Sequence, residues 1–297
     1  MNLGKLSTEQ RNPRTMNLDK LSIQEMLQLM NEEDAKVADA IKTALPEIEK
    51  AVATITESLK TGGRLIYMGA GTSGRLGVLD AAECVPTFGV SPDVVVGLIA
   101  GGERAMTQAV EGAEDSRELG QEDLENLKLT AADTVVGIAA SGRTPYVIGG
   151  LLYAKKVGAA TVTIACNLDS EISKYSQIAI EADAGPEVLT GSTRLKAGTS
   201  QKLILNMLST CSMVGVGKVY QNLMVDVQPT NEKLEERSKR IIMEATECSY
   251  QEATHAFEAA DNQVKLAIVM LLTDSEKEEA QARLERTQGF IHQAVKN

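Results

Sequence analysis

The stretch Leu65-Ile66-Tyr67-Met68-Gly69-Ala70-Gly71-Thr72-Ser73-Gly74 decides the fold of this chain. Its apolar start is typical of a buried strand, the glycines indicate a tight turn, and the sequence from Arg75 predicts a helix. Glycines let the backbone approach an anion closely, and a helix N-terminus offers free N–H groups and a favourable dipole. Because Thr72 and Ser73 add hydroxyl donors, the turn predicts a phosphate site.

The glycine spacing also fits two nucleotide-binding motifs, but each lacks a residue that it needs. A dinucleotide site expects a carboxylate about 20 residues after the turn. The next apolar run, residues 94–99, is followed by Ala100-Gly101-Gly102, and the first carboxylate after it is Glu103. A P-loop needs a Lys-Ser or Lys-Thr pair after the last glycine, and none follows Gly74. A phosphorylated small molecule is favoured, and an ordinary strand-to-helix turn stays open.

A second loop repeats this chemistry at the end of another apolar run. Residues 135–140 lead into Ser141-Gly142-Arg143-Thr144-Pro145, where the proline suits the first turn of a helix reaching about Lys156. Hydroxyls and free amides meet again, and Arg143 adds a positive charge. We expect the two loops to converge on one phosphate, with a capped helix start as the open alternative.

Apolar runs that alternate with helical segments predict an α/β fold built on a parallel sheet. The strand-like runs are residues 65–68, 94–99, 134–139, 160–165 and 177–181. Ligands of such sheets bind at the carboxyl ends of the strands, which is where both loops lie.

Helical segments are predicted on either side of the sheet region. Before it, Ser22 and Glu25 form a capping box, and a second helix is predicted from Pro46 to Gly62-Gly63. After it, Ser249 and Asp274-Ser275 mark the starts of short helices. The predicted domains are an N-terminal helical segment (1–54) packed on the core, an α/β domain that carries both loops (55–226) and a small C-terminal helical bundle (227–297).

Composition excludes several functional classes. The 297 residues carry 41 acidic and 30 basic side chains, a formal charge of −11, which argues against a nucleic-acid partner. The longest apolar stretch, residues 266–272, is too short to span a membrane, and no signal peptide is evident. Four widely spaced cysteines favour a cytoplasmic location. With only His255 and His292, histidine catalysis and a zinc site are not expected.

Both loops resemble the sugar-isomerase (SIS) domain, which binds phosphosugars. Three longer motifs are similar to those of the N-acetylmuramic acid 6-phosphate etherase family: TEQRNP at 8–13, LDAAECVPTFG at 79–89 and GPEVLTGSTRLKAGT at 185–199. The resemblance covers essentially the whole chain. It implies a parallel sheet flanked by helices (an α/β/α sandwich), with a C-terminal bundle resembling ubiquitin-associated domains in architecture only.

The resemblance also implies a reaction, which is cleavage of the D-lactyl ether of N-acetylmuramic acid 6-phosphate by elimination followed by hydration. It assigns Glu83 as the acid at the lactate oxygen and Glu114 as the base at C2 of the sugar. Neither step demands a metal or a redox cofactor. The residues expected to bind the substrate are Gly71, Thr72, Ser73, Ser141, Gly142, Arg143, Thr144, Glu187, Ser192 and Lys196, the last three in a segment that covers the sugar.

The roles of Glu83 and Glu114 lead to two structural expectations. An acid that holds its proton at neutral pH needs a buried or like-charged setting, so Glu83 is predicted to lie deeper than Glu114. A regular helix from Ser73 to Glu83 would place Glu83 about 15 Å from the phosphate anchor at Ser73, too far to reach C3 of the same sugar. The helix therefore bends or ends near Gly77, or Glu83 acts on a second subunit's sugar. The family is homodimeric, so we expect a site shared between subunits.

Other SIS proteins supply the alternatives. An aldose–ketose isomerase needs one glutamate base and no second acid. A noncatalytic phosphosugar sensor would lack one of the carboxylates, whereas Glu83 and Glu114 are both present here. A DNA-binding regulator should carry a basic recognition helix, and the segment through Lys60 offers no convincing one.

Overall fold

The computed structural model describes residues 6–229 and 231–296, and the chain divides into two compact units. The first unit takes Met1–Ala82 and Asp93–Ser209, and the second takes Glu83–Pro92 and Thr210–Asn297. The domain boundaries predicted after residues 54 and 226 stay a prediction.

The described part of the first unit holds a five-stranded sheet. Its strands are β1 (Leu65–Gly69), β2 (Val95–Ile99), β3 (Thr134–Ala139), β4 (Ala160–Ala165) and β5 (Ile178–Glu181). Their order is β2-β1-β3-β4-β5, and every neighbouring pair is parallel. The predicted parallel α/β fold is confirmed, and the glycine-rich turn and residues 141–145 follow two adjacent strands, β1 and β3.

Six helices accompany the sheet in the described sequence. They are α1 (Ile23–Asp34), α2 (Lys36–Lys60), α3 (Gly71–Phe88), α4 (Arg117–Asn126), α5 (Pro145–Val157) and α6 (Lys196–Gly215). The Ser22–Glu25 capping box opens α1, and Pro145 occupies the first turn of α5, as predicted. Short 3-10 turns lie at Ser7–Glu9, Pro13–Thr15, Leu18–Lys20, Glu103–Met106 and Ile172–Tyr175.

Helices pack on both faces of the sheet, which explains why its central strands are apolar throughout. Ile66 and Met68 of β1 lie in one hydrophobic core with Leu124 of α4 and Leu151 of α5. On the other face, α3 approaches so closely that a Cβ on Gly77 would lie 2.9 Å from the Cβ of Tyr67. Strands covered on both faces read as continuous apolar runs, and β1 and β3 are buried along their whole length.

Two helix starts of the first unit differ from the prediction. Helix α2 begins at Lys36, ten residues before Pro46, and runs through the proline. Burial of Val37 and Ile41 on the preceding turns holds the helix, although proline removes one backbone hydrogen bond. Helix α3 begins at Gly71 rather than Arg75, so most of the glycine-rich turn is the first turn of that helix.

The second unit is a bundle of short helices beside a two-stranded antiparallel ribbon. The ribbon is β6 (Val219–Tyr220) with β7 (Leu223–Met224). The helices, besides the ends of α3 and α6, are α7 (Glu232–Thr246), α8 (Tyr250–Ala259), α9 (Val264–Thr273), α10 (Lys277–Arg286) and α11 (Ile291–Ala294).

Apolar residues of this unit share one core, which includes Ile242, Phe257 and Ile268. The predicted start of α8 at the Ser249 capping box is confirmed. The predicted start at Asp274-Ser275 is wrong, because Asp274 adopts a left-handed conformation that ends α9, and α10 begins at Lys277.

Candidate active site

The glycine-rich turn is shaped by close contact between its two outer glycines. A Cβ on Gly69 would lie 2.8 Å from the backbone nitrogen of Gly74, and one on Gly74 would lie 2.6 Å from the carbonyl oxygen of Gly69. Gly71 has a φ of +53°, and a Cβ there would have no atom within 4 Å. The turn therefore brings α3 tightly onto β1 and leaves open space above Gly71, where an anion can approach the helix N-terminus.

Arg75 connects this turn to the segment that follows β2. Its Nε donates to the carbonyl oxygen of Met106 at 2.9 Å, and an Nη donates to that of Ala105 at 2.7 Å. Both acceptors belong to the 3-10 turn Glu103–Met106. The guanidinium group thus holds one wall of a cavity against the start of α3.

A cavity of about 180 Å³ opens between these elements. It is lined by Ala70, Gly71, Arg75, Ala100, Ala105, Gln108, Ala109, Val110 and Glu114. The structure therefore places Glu114, one of the two predicted catalytic residues, beside the predicted phosphate turn.

Glu114 also contacts the second loop. Thr144 Oγ1 donates to Glu114 Oε1 at 3.1 Å, and the Tyr146 N–H donates to the Glu114 carbonyl oxygen at 3.0 Å. Thr144 is buried, whereas the Glu114 side chain is exposed. The hydroxyl of Thr144 therefore fixes one carboxylate oxygen and leaves the other open to the cavity.

The remaining residues of the second loop surround a glycine that no other residue could replace without movement. Gly142 has a φ of +71°, and a Cβ there would lie 2.3 Å from Ser170 Oγ. Its N–H donates to the carbonyl oxygen of Ala139, which makes a tight turn at the end of β3. Ser141 and Arg143 are half-buried on either side of it.

The two hydroxyls of the first turn differ in setting. Thr72 is half-buried, whereas Ser73 is buried, and Ser73 Oγ donates to Gln201 Oε1 of α6 at 3.0 Å. Helix α6 is close to Thr72 as well, because a Cβ on Gly198 would lie 3.5 Å from Thr72 Cγ2. The first turns of α3 and α6 are therefore in contact.

Glu83 lies in the part of α3 that belongs to the second unit. The helix continues to Phe88, which removes an end near Gly77 from the three alternatives and leaves a bend or a second subunit. Glu83 and Glu114 are both exposed in the single chain, and the deeper burial expected of Glu83 stays a prediction.

Lys196 and Glu187, two of the predicted substrate-binding residues, are each only 1% exposed and bond to protein groups. Lys196 Nζ donates to Glu33 Oε2 at 2.8 Å and to the Ala184 carbonyl oxygen at 2.9 Å. Glu187 accepts hydrogen bonds from the backbone N–H groups of Lys196 and Ala197, which caps α6. In this structure the two side chains anchor α6, and the contact with the sugar expected of them stays a prediction.

Lys196, Glu33 and Glu187, which we call the anchor cluster, form a strongly charged group of buried side chains. Burial alone would raise the pKa of Glu33, but hydrogen bonds from cationic partners, Lys196 first, outweigh it and lower the pKa to about 2. The other two cations are Lys36 and Arg14. Burial raises the pKa of the Glu187 carboxyl, and the backbone N–H bonds partly offset that rise. Ser192, the third predicted residue of the segment, is half-buried.

A larger cavity, of about 590 Å³, lies in the second unit. Its lining includes Asp226 and Lys265, which form an ion pair, and none of the predicted site residues. This cavity is the larger of the two, but the predicted site residues Gly71 and Glu114 line the smaller one.

Sequence reasoning missed Arg75 and Gln201. Arg75 directly follows the glycine-rich turn, so its position was a usable signal. Gln201 lies 128 positions after Ser73, and the spacing of residues along the chain gives no sign of their contact.

None of the helices in the described part of the chain combines the length and the apolar character that crossing a bilayer requires.

Comparisons with known proteins agree with this fold. Residues 112–211 match the family described as SIS domain, and residues 47–155 match the glucokinase regulatory protein N-terminal SIS domain. The solved structure of a phosphoheptose isomerase from Neisseria gonorrhoeae superposes with a TM-score of 0.50 at 15% identity, covering 64% of this chain and 98% of that one. This likeness concerns the fold alone.

Curated relatives match over nearly their full length. The chain is 68% identical over 295 residues to N-acetylmuramic acid 6-phosphate etherase 2 of Lactiplantibacillus plantarum, covering 99% of this chain and all of the relative. It is 70% identical over 291 residues to the protein of the same name in Enterococcus faecalis, covering 98% of each. A relative from Exiguobacterium, also named as an etherase, is 64% identical over 293 residues, 99% of this chain and all of the relative.

Proposed function

The chain belongs to the N-acetylmuramic acid 6-phosphate etherase family, and we propose that the cavity beside the glycine-rich turn is its active site. The enzyme is a carbon–oxygen lyase that cleaves the D-lactyl ether of N-acetylmuramic acid 6-phosphate in the recycling of cell-wall sugars. Its products are N-acetylglucosamine 6-phosphate and D-lactate. The observation that carries the site is the position of Glu114, which lines one cavity with Gly71 and Arg75.

The reaction proceeds by elimination and then hydration. In the open-chain sugar, the C2 proton is α to the C1 aldehyde, so Glu114 removes it as a general base. The electron pair forms the C2–C3 double bond, the C3–O bond breaks, and Glu83 protonates the departing lactate oxygen. Water then adds at C3 of the unsaturated aldehyde, and C2 regains a proton, which gives the second product.

Glu114 is suited to the base role by its two contacts. The Thr144 hydroxyl holds one carboxylate oxygen at 3.1 Å, and the backbone bond from Tyr146 fixes the position of the residue. A base acts only within hydrogen-bond reach of its proton, so a carboxylate with a fixed orientation beside the anion site favours proton removal.

The phosphate binds, in this proposal, between the two loops at the ends of β1 and β3. The first turn contributes Gly71, Thr72 and Ser73, through backbone N–H groups and hydroxyls. The second contributes Ser141, Gly142 and Arg143. Adjacent parallel strands end at the same edge of the sheet, which supports binding of one anion by both loops.

Glu83 acts, in this proposal, on the sugar held by a second copy of the chain in a homodimer. Two observations support this sharing: α3 is unbroken to Phe88, and Glu83 is exposed in the single chain. The cavity of about 180 Å³ is also smaller than the roughly 300–1,000 Å³ of most ligand sites, as expected of a site that a partner completes.

Mixed subunits test the sharing. Ser73→Ala and Glu83→Gln homodimers should each be weakly active, because each carries two defective sites. A heterodimer formed by joint refolding should regain activity, since one of its sites combines an intact Ser73 with an intact Glu83. Failure to regain activity in a confirmed heterodimer would reject a shared site.

We also propose that the enzyme works in the cytoplasm. None of the four cysteines, which all lie in the described part of the chain, forms a disulfide, and Cys84 and Cys166 are buried as thiols. Disulfides are rare in the reducing cytoplasm, so cysteines that stay as thiols support this compartment.

Isotope labelling tests the reaction. The enzyme is incubated with N-acetylmuramic acid 6-phosphate in ¹⁸O-labelled water, and the masses of both products are measured by mass spectrometry. Elimination and hydration place the label at C3 of the sugar product and leave the lactate hydroxyl unlabelled. Label in the lactate hydroxyl would mean displacement at the lactyl carbon and would contradict the mechanism.

A further inference from the structure

Gln201 of α6 is a fully buried polar residue in direct contact with the glycine-rich turn. Its side chain is 0% exposed, and its Oε1 accepts the hydrogen bond of Ser73 at 3.0 Å. Across the described residues, its Nε2 is the one buried side-chain nitrogen or oxygen that has no hydrogen-bond partner. A buried donor without an acceptor is costly, so its retention calls for a reason other than stability.

The position of Gln201 is fixed by contacts on both sides along α6. Towards the N-terminus, Gly198 lies against Thr72. Towards the C-terminus, Asn206 Nδ2 donates to Asp80 Oδ1 at 2.7 Å, and Ser209 Oγ donates to the same oxygen at 3.2 Å. Because α3 and α6 are tied together at both points, the carboxamide of Gln201 stays next to Ser73.

The observed bond engages the only proton of the Ser73 hydroxyl. A serine that donates to a carboxamide oxygen cannot donate the same proton to a phosphate, which offers acceptors alone. A rotation of the Gln201 carboxamide by 180° exchanges Oε1 and Nε2. The nitrogen then donates to Ser73 Oγ, and the serine proton is released for a ligand.

We propose that Gln201 is a positioning residue for the substrate phosphate and acts through Ser73. In the bound state its Nε2 donates to Ser73 Oγ and directs the serine proton to a phosphate oxygen. One polar atom of the carboxamide lacks a partner in either orientation, so the rotation sacrifices no protein hydrogen bond, and the substrate adds one. The inference rests on the proposed phosphate site at Ser73.

The test is a double-mutant cycle of Gln201→Met and Ser73→Ala, read as KM and kcat on N-acetylmuramic acid 6-phosphate. Methionine keeps the length of the side chain and removes the amide. We expect Gln201→Met to raise KM about 5- to 10-fold, the weight of one hydrogen bond, with kcat changed less than 2-fold. In the Ser73→Ala background, the same substitution should leave KM unchanged.

A second variant and a control separate positioning from structural support. Gln201→Asn keeps an amide that is too short to reach Ser73, so it should raise KM as Gln201→Met does, even if the methionine variant folds poorly. Ser58→Ala removes a buried hydrogen bond between α2 and Thr134 at the start of β3, away from α6, and it should lower the melting temperature without raising KM.

Each remaining outcome overturns the inference in a recognisable way. If Gln201→Met and Gln201→Asn leave KM unchanged, or raise it equally with and without Ser73, Gln201 does not act through the serine. If Ser58→Ala raises KM as much, the effect on KM follows from lost stability and the role of Gln201 is structural. If Ser73→Ala itself leaves KM unchanged, the phosphate site at Ser73 fails first, and the role of Gln201 fails with it.

Discussion

Two polar clusters of the first unit contain similar residue types in opposite settings. In the cavity cluster, defined by Glu114, Thr144 and Arg75, the carboxylate is exposed and has a single side-chain partner. In the anchor cluster, defined by Lys196, Glu33 and Glu187, all three side chains are buried and bonded internally. In the proposed mechanism the carboxylate of the cavity cluster is free to accept a proton, whereas the paired carboxylates of the anchor cluster hold α6 in place.

Removing the base of the cavity cluster should have the largest effect. Glu114→Gln keeps the shape and the acceptor of the Thr144 hydroxyl but cannot take a proton, so kcat should fall about 10²- to 10⁴-fold. Lactate release measures the loss, and the melting temperature should change little because the side chain is exposed. The matched control is Glu111→Gln, an exposed glutamate three residues earlier, which should retain activity. Equal losses in both variants would remove Glu114 from the mechanism.

Breaking the anchor cluster should instead reduce stability. Lys196→Met leaves Glu33 and the Ala184 carbonyl oxygen without their buried partner, and the expected loss is about 3 kcal/mol in the free energy of unfolding. Lys36 and Arg14 still pair with Glu33, which places the loss at the lower end for a buried ion pair. Urea denaturation measures it.

Lys202→Met is the control for that substitution, because Lys202 is an exposed lysine of the same helix. It should change the free energy of unfolding by less than about 0.5 kcal/mol. A Lys196→Met variant that is as stable as Lys202→Met but inactive would contradict the anchoring role and favour the predicted contact of Lys196 with the substrate.

Acid should weaken the anchor cluster over a defined range. The pKa of Glu33 is about 2 in the folded protein against an ordinary 4.5, so the unfolded chain binds the proton more readily. The resulting stability is present above pH 4.5 and is lost as the pH falls towards 2. Glu33→Gln should therefore be less stable than the wild type at neutral pH, with a gap that narrows across this range.

Urea unfolding at several pH values checks this, with the exposed Glu49→Gln of α2 as the control. A gap between wild type and Glu33→Gln that stays constant from neutral pH to pH 2 would show that protonation of Glu33 is not coupled to folding.

The smallest effect is expected from the residue that orients the base. Thr144→Val keeps the volume and removes the hydroxyl that donates to Glu114, so kcat should fall about 5- to 10-fold. Thr144→Ser restores the hydroxyl and should recover most of the activity. If valine and serine behave alike, the hydroxyl does not orient the base.

The sequence predicted local features well and distant contacts poorly. The five strands, the capping boxes at Ser22 and Ser249 and the start of α5 at Pro145 follow from apolar runs and capping chemistry within a few residues. The start of α2 did not, because burial of its first turns outweighs the local effect of Pro46.

At the candidate site, too, local features were predicted and distant contacts were not. Both loops and Glu114 were predicted, the loops from their own residues and the glutamate from resemblance. Lys196 and Glu187 were assigned to the substrate because their segment was expected to cover the sugar, but Glu33, the partner of Lys196, lies more than 150 positions away. Burial of a charge by a distant partner leaves no local pattern, and the same reason hides Gln201.

The most direct test of the central claim follows the C2 proton of N-acetylmuramic acid 6-phosphate in deuterated water by proton NMR. The Glu83→Gln variant retains the base and should exchange the C2 proton for deuterium while releasing little lactate. The Glu114→Gln variant should neither exchange that proton nor release lactate. Exchange that persists in Glu114→Gln and disappears in Glu83→Gln would reverse the two roles and contradict the account of the cavity cluster.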